Sequence, residues 1–204
     1  YIPAPFAVAD LARLHDFVEQ NSFGILISQV DGLPFATHIP FLLDREVGPQ
    51  GSLIAHMARA NPHAENLRDQ IALAIFSGPH AYISPTWYES ENVVPTWNYV
   101  AVHAYGKIEL IDDEAGLLAI VKRTVELYDE YAATVSFEDS STYVQRLLGQ
   151  IVGFRIPIEK LEGKWKLNQN HPVERRRKVV DALRKQTGEN AAGIAEYMEA
   201  ELPR

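Results

Sequence analysis

GILISQVDGLPFATHIPFLL, residues 24–43, sets two apolar, β-rich runs on either side of Val30-Asp31-Gly32. Asp-Gly between such runs is a strong hairpin signal, because a two-residue turn that follows strand twist needs positive φ at both central positions. The stretch predicts two antiparallel strands and hence a sheet assembled from local hairpins. Working outward, SLIAHMA (52–58) and IALAIF (71–76) predict two more strands. RANPHAENLRD lies between them and reads as a turn and a short helix opening at Asn61-Pro62. Further strands are predicted over 79–84, 97–111 and IVGFRIPI (151–158).

Helical spacing places Val8, Leu11, Leu14, Phe17 and Val18 on one face of a helix from Val8 to Gln20. A second helix is expected from Asp112-Asp113 to about residue 132, its two acids suiting the helix dipole. A shorter one is expected over 140–149, and two terminal helices over 174–186 and 190–201, separated by Thr187-Gly188. Strands joined by short turns, with helices between and after them, make the fold class α+β rather than alternating βαβ. The expected division is a main domain over 1–170 and a C-terminal helical extension over 171–204.

HAYISPTWYESENVVPTWNYVAVHAYG (80–106) repeats His-Ala-Tyr and Pro-Thr-Trp in reversed order. Tyr82 opposite Tyr105 and Trp87 opposite Trp97 demand registers three residues apart. Both pairs cannot face each other without a bulge or a wide loop. One reading is strand and turn with aromatics filling a core. Against it, Pro85 and Pro95 cannot donate inside a ladder, and the segment holds more rings than one core-facing side requires. Aromatic rings with a few hydroxyls and amides suit a planar heteroaromatic ligand.

The net charge of −8 opposes nucleic-acid binding through a broad basic surface. One segment is locally basic: Arg175, Arg176, Arg177, Lys178, Arg184 and Lys185 face only Glu174 and Asp181, an excess of four. Any DNA contact must rest on Arg175–Lys185. The chain has no Cys, which excludes disulfides and thiolate metal sites. No apolar run reaches the roughly 20 residues of a membrane-spanning helix. YIPAPFAVAD at residues 1–10 lacks a signal-peptide layout, so the expected location is the cytoplasm.

G-x-G-x-x-G, Walker A, H-E-x-x-H and G-x-S-x-G are all absent. His56 and His63, seven apart, can bind a metal, although such histidines more often cap turns or fill polar core positions. Arg59 and Asn61 leave a strand and enter a turn, where free backbone N–H groups and a guanidinium suit an anion. In LEGKWKLNQN (161–170), Lys164 and Lys166 flank Trp165, while Asn168, Gln169 and Asn170 offer amides for the polar edge of a heterocycle. The alternatives are an exposed surface Arg and a charged edge strand.

THIPFLL (37–43), HMARANPH (56–63), FSGPHAYISPTWY (76–88), VPTWNYVAVHAYG (94–106) and LEGKWKLNQN (161–170) together closely resemble the PaiB-like proteins. These are FMN-binding negative transcriptional regulators of bacteria. The resemblance runs in order from about residue 1 to residue 180. It implies the FMN-binding split barrel, a six-stranded antiparallel Greek-key-like barrel with flanking helices. It also implies a homodimer whose interface grooves hold FMN.

Carried onto this chain, the resemblance implies that Thr37, His38, Ile39 and Pro40 run under the flavin. It places His56, Arg59 and Asn61 at a phosphate-binding turn, Trp97 and Asn98 near the ring or the dimer partner, and Lys164, Lys166 and Gln169 at the far side of the groove. Related oxidases commonly have an Arg-Lys pair in the turn, whereas this chain reads Arg-Ala-Asn-Pro-His, so Lys164 or Lys166 can complete the seat. The alternative function is an FMN-dependent oxidoreductase using NAD(P)H, with His38, His56 and His103 as candidate acid–base groups. A third is a different flat ligand such as haem, with His56 as axial ligand.

Overall fold

A computed structural model describes residues 1–89, 91, 93–129 and 142–203. The strands are β1 (Ala7–Val8), β2 (Phe23–Val30), β3 (Leu33–Pro40), β4 (Leu42–Asp44), β5 (Ser52–Ala58), β6 (Ile71–Ile83), β7 (Thr96–Lys107), β8 (Glu109–Ile111), β9 (Ile151–Pro157) and β10 (Lys160–Lys166). The helices are α1 (Leu11–Gln20), α2 (Pro62–Glu65), α3 (Glu114–Tyr128), α4 (Thr142–Leu148), α5 (Val173–Arg184) and α6 (Glu189–Ala200). The strands form a six-stranded sheet, β1-β10-β7-β6-β2-β3, and a four-stranded sheet, β4-β5-β9-β8. This is the split-barrel arrangement with flanking helices.

The β2–β3 hairpin closes at Val30↔Leu33. Asp31 and Gly32 sit at φ 52° and 77°, the positive pair a tight turn with strand-like twist requires.

Two expectations change. Residues 71–76 and 79–84 form one strand, β6, despite Pro79. Ala72, Ala74 and Phe76 are buried at even positions, then Ala81 and Ile83 at odd ones. Inward facing therefore shifts by one residue across 77–80, as at a bulge, and this is a tolerated place for a proline. The first helix begins at Leu11 rather than Val8, because Ala7 and Val8 pair with Lys164 and Gly163 of β10. A long-range ladder there overrides the helical spacing. The second helix opens at Asp113, whose side chain accepts from Gly116 N–H at 2.8 Å. Its expected end beyond residue 129, and the start of the next helix at 140–141, lie outside the described residues.

The chain divides into two compact units. The first comprises Tyr1–Asp10, Ser77–Val102 and Glu162–Arg204, so the terminal helices share a unit with the aromatic segment. Its core includes Trp165, 1% exposed, with Val179, Leu183, Ile194 and Met198 of the α5–α6 pair. Helix α6 approaches β6 closely, since a Cβ on Gly193 would lie 2.9 Å from Pro79. The second unit, Leu11–Phe76 and His103–Leu161, holds the whole smaller sheet with α1 to α4. Leu42, Ile54 and Ile120 form one cluster there, and Leu117, Leu118 and Leu148 another. Among the described residues no helix is long and apolar enough to cross a membrane.

Candidate functional site

In the second unit the site is built on the turn after β5. The Arg59 backbone N–H donates to Gln150 O at 2.7 Å. Its guanidinium donates from Nε to Gly149 O at 3.1 Å and from Nη2 to Ile151 O at 2.9 Å. Those bonds fix an exposed guanidinium and, among the described residues, leave Nη1 and the second Nη2 hydrogen to solvent or an anion. Asn61 is the N-cap of α2: its Oδ1 accepts from His63 N–H at 3.0 Å. Its Nδ2 donates to Thr37 Oγ1 at 3.3 Å.

Sequence reasoning did not place His63 in this site, yet it is the hub. It is 0% exposed. Nδ1 lies 2.9 Å from Thr37 Oγ1 and Nε2 lies 2.7 Å from Ser28 Oγ. Phe35 meets the ring edge-on at 5.1 Å. The asparagine-proline turn signal pointed at this cap; the two hydroxyl partners come from another hairpin and had no local signal.

On β3, Thr37 is half-buried and Ile39 buried, while His38 is exposed and stacked on Phe23 with centroids 6.5 Å apart. Pro40 ends the strand. His56 is half-buried on β5, opposite Gly153 of β9. Among the described residues no group of three or more His, Asp or Glu side chains is arranged to hold a metal.

The remaining candidates fall in the first unit. Lys166 Nζ donates to Trp97 O at 2.7 Å and to Thr96 Oγ1. Lys164 donates to Tyr1 O at 3.2 Å and lies 5.3 Å above the Tyr99 ring. Burial and the neighbouring Lys164 charge lower the Lys166 pKa. Gln169 is turned inward: its Oε1 accepts from Leu167 N–H at 2.7 Å and its Nε2 donates to Trp165 O at 2.6 Å. Asn98 is 0% exposed, with Nδ2 3.3 Å from Met198 Sδ and Oδ1 without a partner among the described residues.

Trp97 is 53% exposed. It faces Tyr82 edge-on at 5.9 Å and His80 at 6.2 Å. While His103 and Tyr105 of the second His-Ala-Tyr triplet face each other at 6.4 Å, the rings of the first gather on Trp97. With Trp87, Gln186 and Asn190 they line a cavity of 730 Å³. Asn190 Oδ1 accepts from His80 N–H at 3.2 Å, tying the α5–α6 turn to this wall.

The basic segment is largely spent inside the same unit. Arg176 is buried and donates to Glu201 O, Lys178 pairs with Glu89, and Arg184 pairs with Glu199 and Glu196. Arg175 lies 5.7 Å over the Tyr88 ring and 3.1 Å from His171 Nδ1.

Burial lowers the pKa of His56 and His63, and burial with the Arg175 charge lowers His171. The unfolded chain then takes up these protons first. The stability is fully present above the ordinary histidine value of 6.5 and is lost as pH falls below it toward the folded values. Thermal melts should show a lower Tm at pH 5.5 than at 7.5, and His63→Gln should remove part of the difference. Equal slopes in both proteins would show that His63 stays accessible to protons.

Residues 1–160 match the family described as "Putative FMN-binding domain". The chain is 36% identical to protease synthase and sporulation protein PAI 2 of Bacillus subtilis (strain 168), over 99% of this chain and 98% of that protein. The flavocytochrome Anf3 of Azotobacter vinelandii superposes with a TM-score of 0.62 at 17% identity, over 78% of this chain and 69% of that one. The FAD- and haem-binding protein of Mycobacterium smegmatis does so with a TM-score of 0.57 at 18% identity, over 78% and 73%. At such identities the two structures speak for the fold alone. The family match and the end-to-end likeness to PAI 2 say more: the chain belongs to the PaiB-like family of FMN-binding proteins, and its cofactor is FMN.

Proposed function

We propose that this protein is an FMN-binding negative regulator of gene expression, acting as a homodimer in a bacterial cytoplasm. The observation that carries the reading is the likeness to PAI 2 over nearly the full length of both chains, a protein named for protease synthesis and sporulation. The chemistry of the donor set is compatible with FMN. Arg59 retains N–H groups for a phosphate. Thr37 to Pro40 supply a strand for the flavin to lie on. When bound, FMN supplies a redox-active ring; the chain's own residues orient it and hold its phosphate.

Exposed apolar rings support a dimer. Phe23 on β2 and Trp97 and Tyr82 on β7 and β6 stand in solvent in a single chain, and such surfaces are what a partner subunit covers. The regulator reading does not need DNA contact through Arg175–Lys185, since most of those cations are already paired within the unit. A surface short of free cations gains little from counterion release.

The test is gel filtration after incubation with FMN, followed by transcript measurement in a strain lacking the gene. Flavin absorbance should co-elute at twice the chain mass, and a defined set of transcripts should rise in the deletion and fall on complementation. Unchanged transcripts, with steady oxidation of NAD(P)H by the FMN-loaded protein, would replace the regulator with the oxidoreductase.

A further inference from the structure

We propose that His63, held by Ser28, is a positioning residue that makes the turn after β5 select the phosphorylated flavin over riboflavin. The inference rests on the reading that Arg59 and Asn61 seat the FMN phosphate.

Helix α2 has only four residues and cannot hold its own orientation. Its direction comes from side chains. Asn61 Oδ1 accepts from His63 N–H, Asn61 Nδ2 donates to Thr37 Oγ1, and Thr37 Oγ1 bonds His63 Nδ1. These three bonds close a ring among Asn61, Thr37 and His63. The fourth bond, His63 Nε2 to Ser28 Oγ, anchors that ring to β2. Thr37 lies opposite Leu26, and Ser28 opposite Phe35, so both hydroxyls belong to the same hairpin. Phe35 closes the apolar side of the imidazole.

Asn61 Nδ2 bonds Thr37 Oγ1 through one of its two hydrogens, whereas the ring of bonds uses both nitrogens of His63, so His63 acts on FMN only through the turn it orients. It also brings no charge to the seat, because burial favours the neutral imidazole and hydroxyl groups are its hydrogen-bond partners. The cation offered by this turn is Arg59: Gly149 O and Ile151 O brace its guanidinium, and the Asn61 N–H to Ala58 O bond at 3.0 Å closes its turn onto the network. A guanidinium aimed by a rigid turn meets a phosphate at little ordering cost; one on a loose turn pays that cost on binding. Riboflavin lacks the phosphate that this contact would hold, so its affinity should depend much less on the turn.

The experiment measures Kd for FMN and for riboflavin by flavin fluorescence, using the purified full chain and its His63→Ala, His63→Gln, Thr37→Val, Ser28→Ala and Arg59→Ala variants. Thermal melts confirm that each is folded. We expect His63→Ala to raise the FMN Kd about tenfold, with riboflavin nearly unchanged, and Thr37→Val, on the strand read as carrying the flavin, to weaken FMN more than riboflavin. His63→Gln, whose amide can bond both hydroxyls, should recover part of the loss, and Ser28→Ala should fall between. If His63→Ala does not fold, Ser28→Ala carries the same comparison.

Equal weakening of both ligands would reduce His63 to a structural residue and overturn the proposal. So would an unchanged FMN-to-riboflavin ratio in the network variants beside a lowered one in Arg59→Ala, while leaving the phosphate seat intact. An unchanged ratio in Arg59→Ala itself would remove the seat, and the proposal with it.

Discussion

Arg59→Ala should raise the Kd for FMN by roughly one to two orders of magnitude, the value of about 1.5–3 kcal/mol for hydrogen bonds to a charged group. The effect should exceed that of any other single substitution on the turn, because Arg59 is the cation there and its fork is already braced by Gly149 O and Ile151 O. A braced guanidinium loses little freedom when it meets phosphate, and two parallel N–H donors match two phosphate oxygens. Arg59→Lys keeps the charge without the fork and should fall between wild type and Ala. Because Arg59 is exposed, the wild-type affinity should also drop with added salt, and the Ala variant should show a shallower dependence. Isothermal titration at two ionic strengths reads both quantities. An unchanged Kd in Arg59→Ala would shift the phosphate contact to Lys164 or Lys166.

Gly106→Ala is expected to cost the most stability while leaving the phosphate turn untouched. A Cβ at this position would lie 2.1 Å from Pro157 O and 2.8 Å from Ile156 Cγ2. The first of these is backbone, held in the β5–β9 ladder where Pro157 lies opposite Ser52, so it cannot rotate away. Relief requires β7 or β9 to move. Overpacking of this kind costs about 1–3 kcal/mol, and the backbone contact puts Gly106 at the upper end. For a chain of this length, that is a fall in Tm of about 5–10 °C. Calorimetry on the purified variant checks it; a wild-type Tm would mean that β7 shifts freely.

The two substitutions separate fold from site. Arg59→Ala should leave Tm nearly unchanged, since an exposed side chain bonded to the Gly149 and Ile151 carbonyls contributes little net stability. Gly106→Ala should lower Tm and leave the affinity of the remaining folded protein near wild type.

How far each feature was legible depended on how local its cause is. Asp31-Gly32 announced the β2–β3 hairpin, because positive φ at two adjacent positions is a property of those residues alone. Asp113 announced the start of α3 through a side chain reaching three residues ahead. Strand β5 was read with its observed limits from its own β-rich run. By contrast, Val8 was read as helical, because its pairing with Gly163 comes from a strand more than 150 residues away in sequence. Residues 71–76 and 79–84 were read as two strands, whereas β6 runs through both and through Pro79 with a change of inward face.

The same division holds for the candidate site. Arg59 and Asn61 were visible as an arginine and a cap in a turn, and Trp97 as a ring in excess of what a core needs. The role of His63 was not visible, since a histidine is defined by its partners, and Ser28 and Thr37 reach it from 35 and 26 residues away. Gln169 read as a free amide, but it folds back onto Trp165 and Leu167. The basic run at 175–185 read as locally cationic, yet Glu89, Glu199 and the Glu201 carbonyl take up three of its six cations.

By itself the sequence determined the class of fold, the hairpin and caps, the absence of thiol chemistry and, through its long motifs, the FMN-binding family. Each of those rests on dihedral preference, hydrogen bonding within a few residues, composition, or motif identity. Only the tertiary structure decided which side chains are free. Free or committed is a matter of distance across strands, and a donor already bonded to a carbonyl or a hydroxyl offers nothing to a ligand. That is why Arg59 keeps N–H groups for an anion, why His63 keeps none, and why the cations of α5 are mostly spent at home.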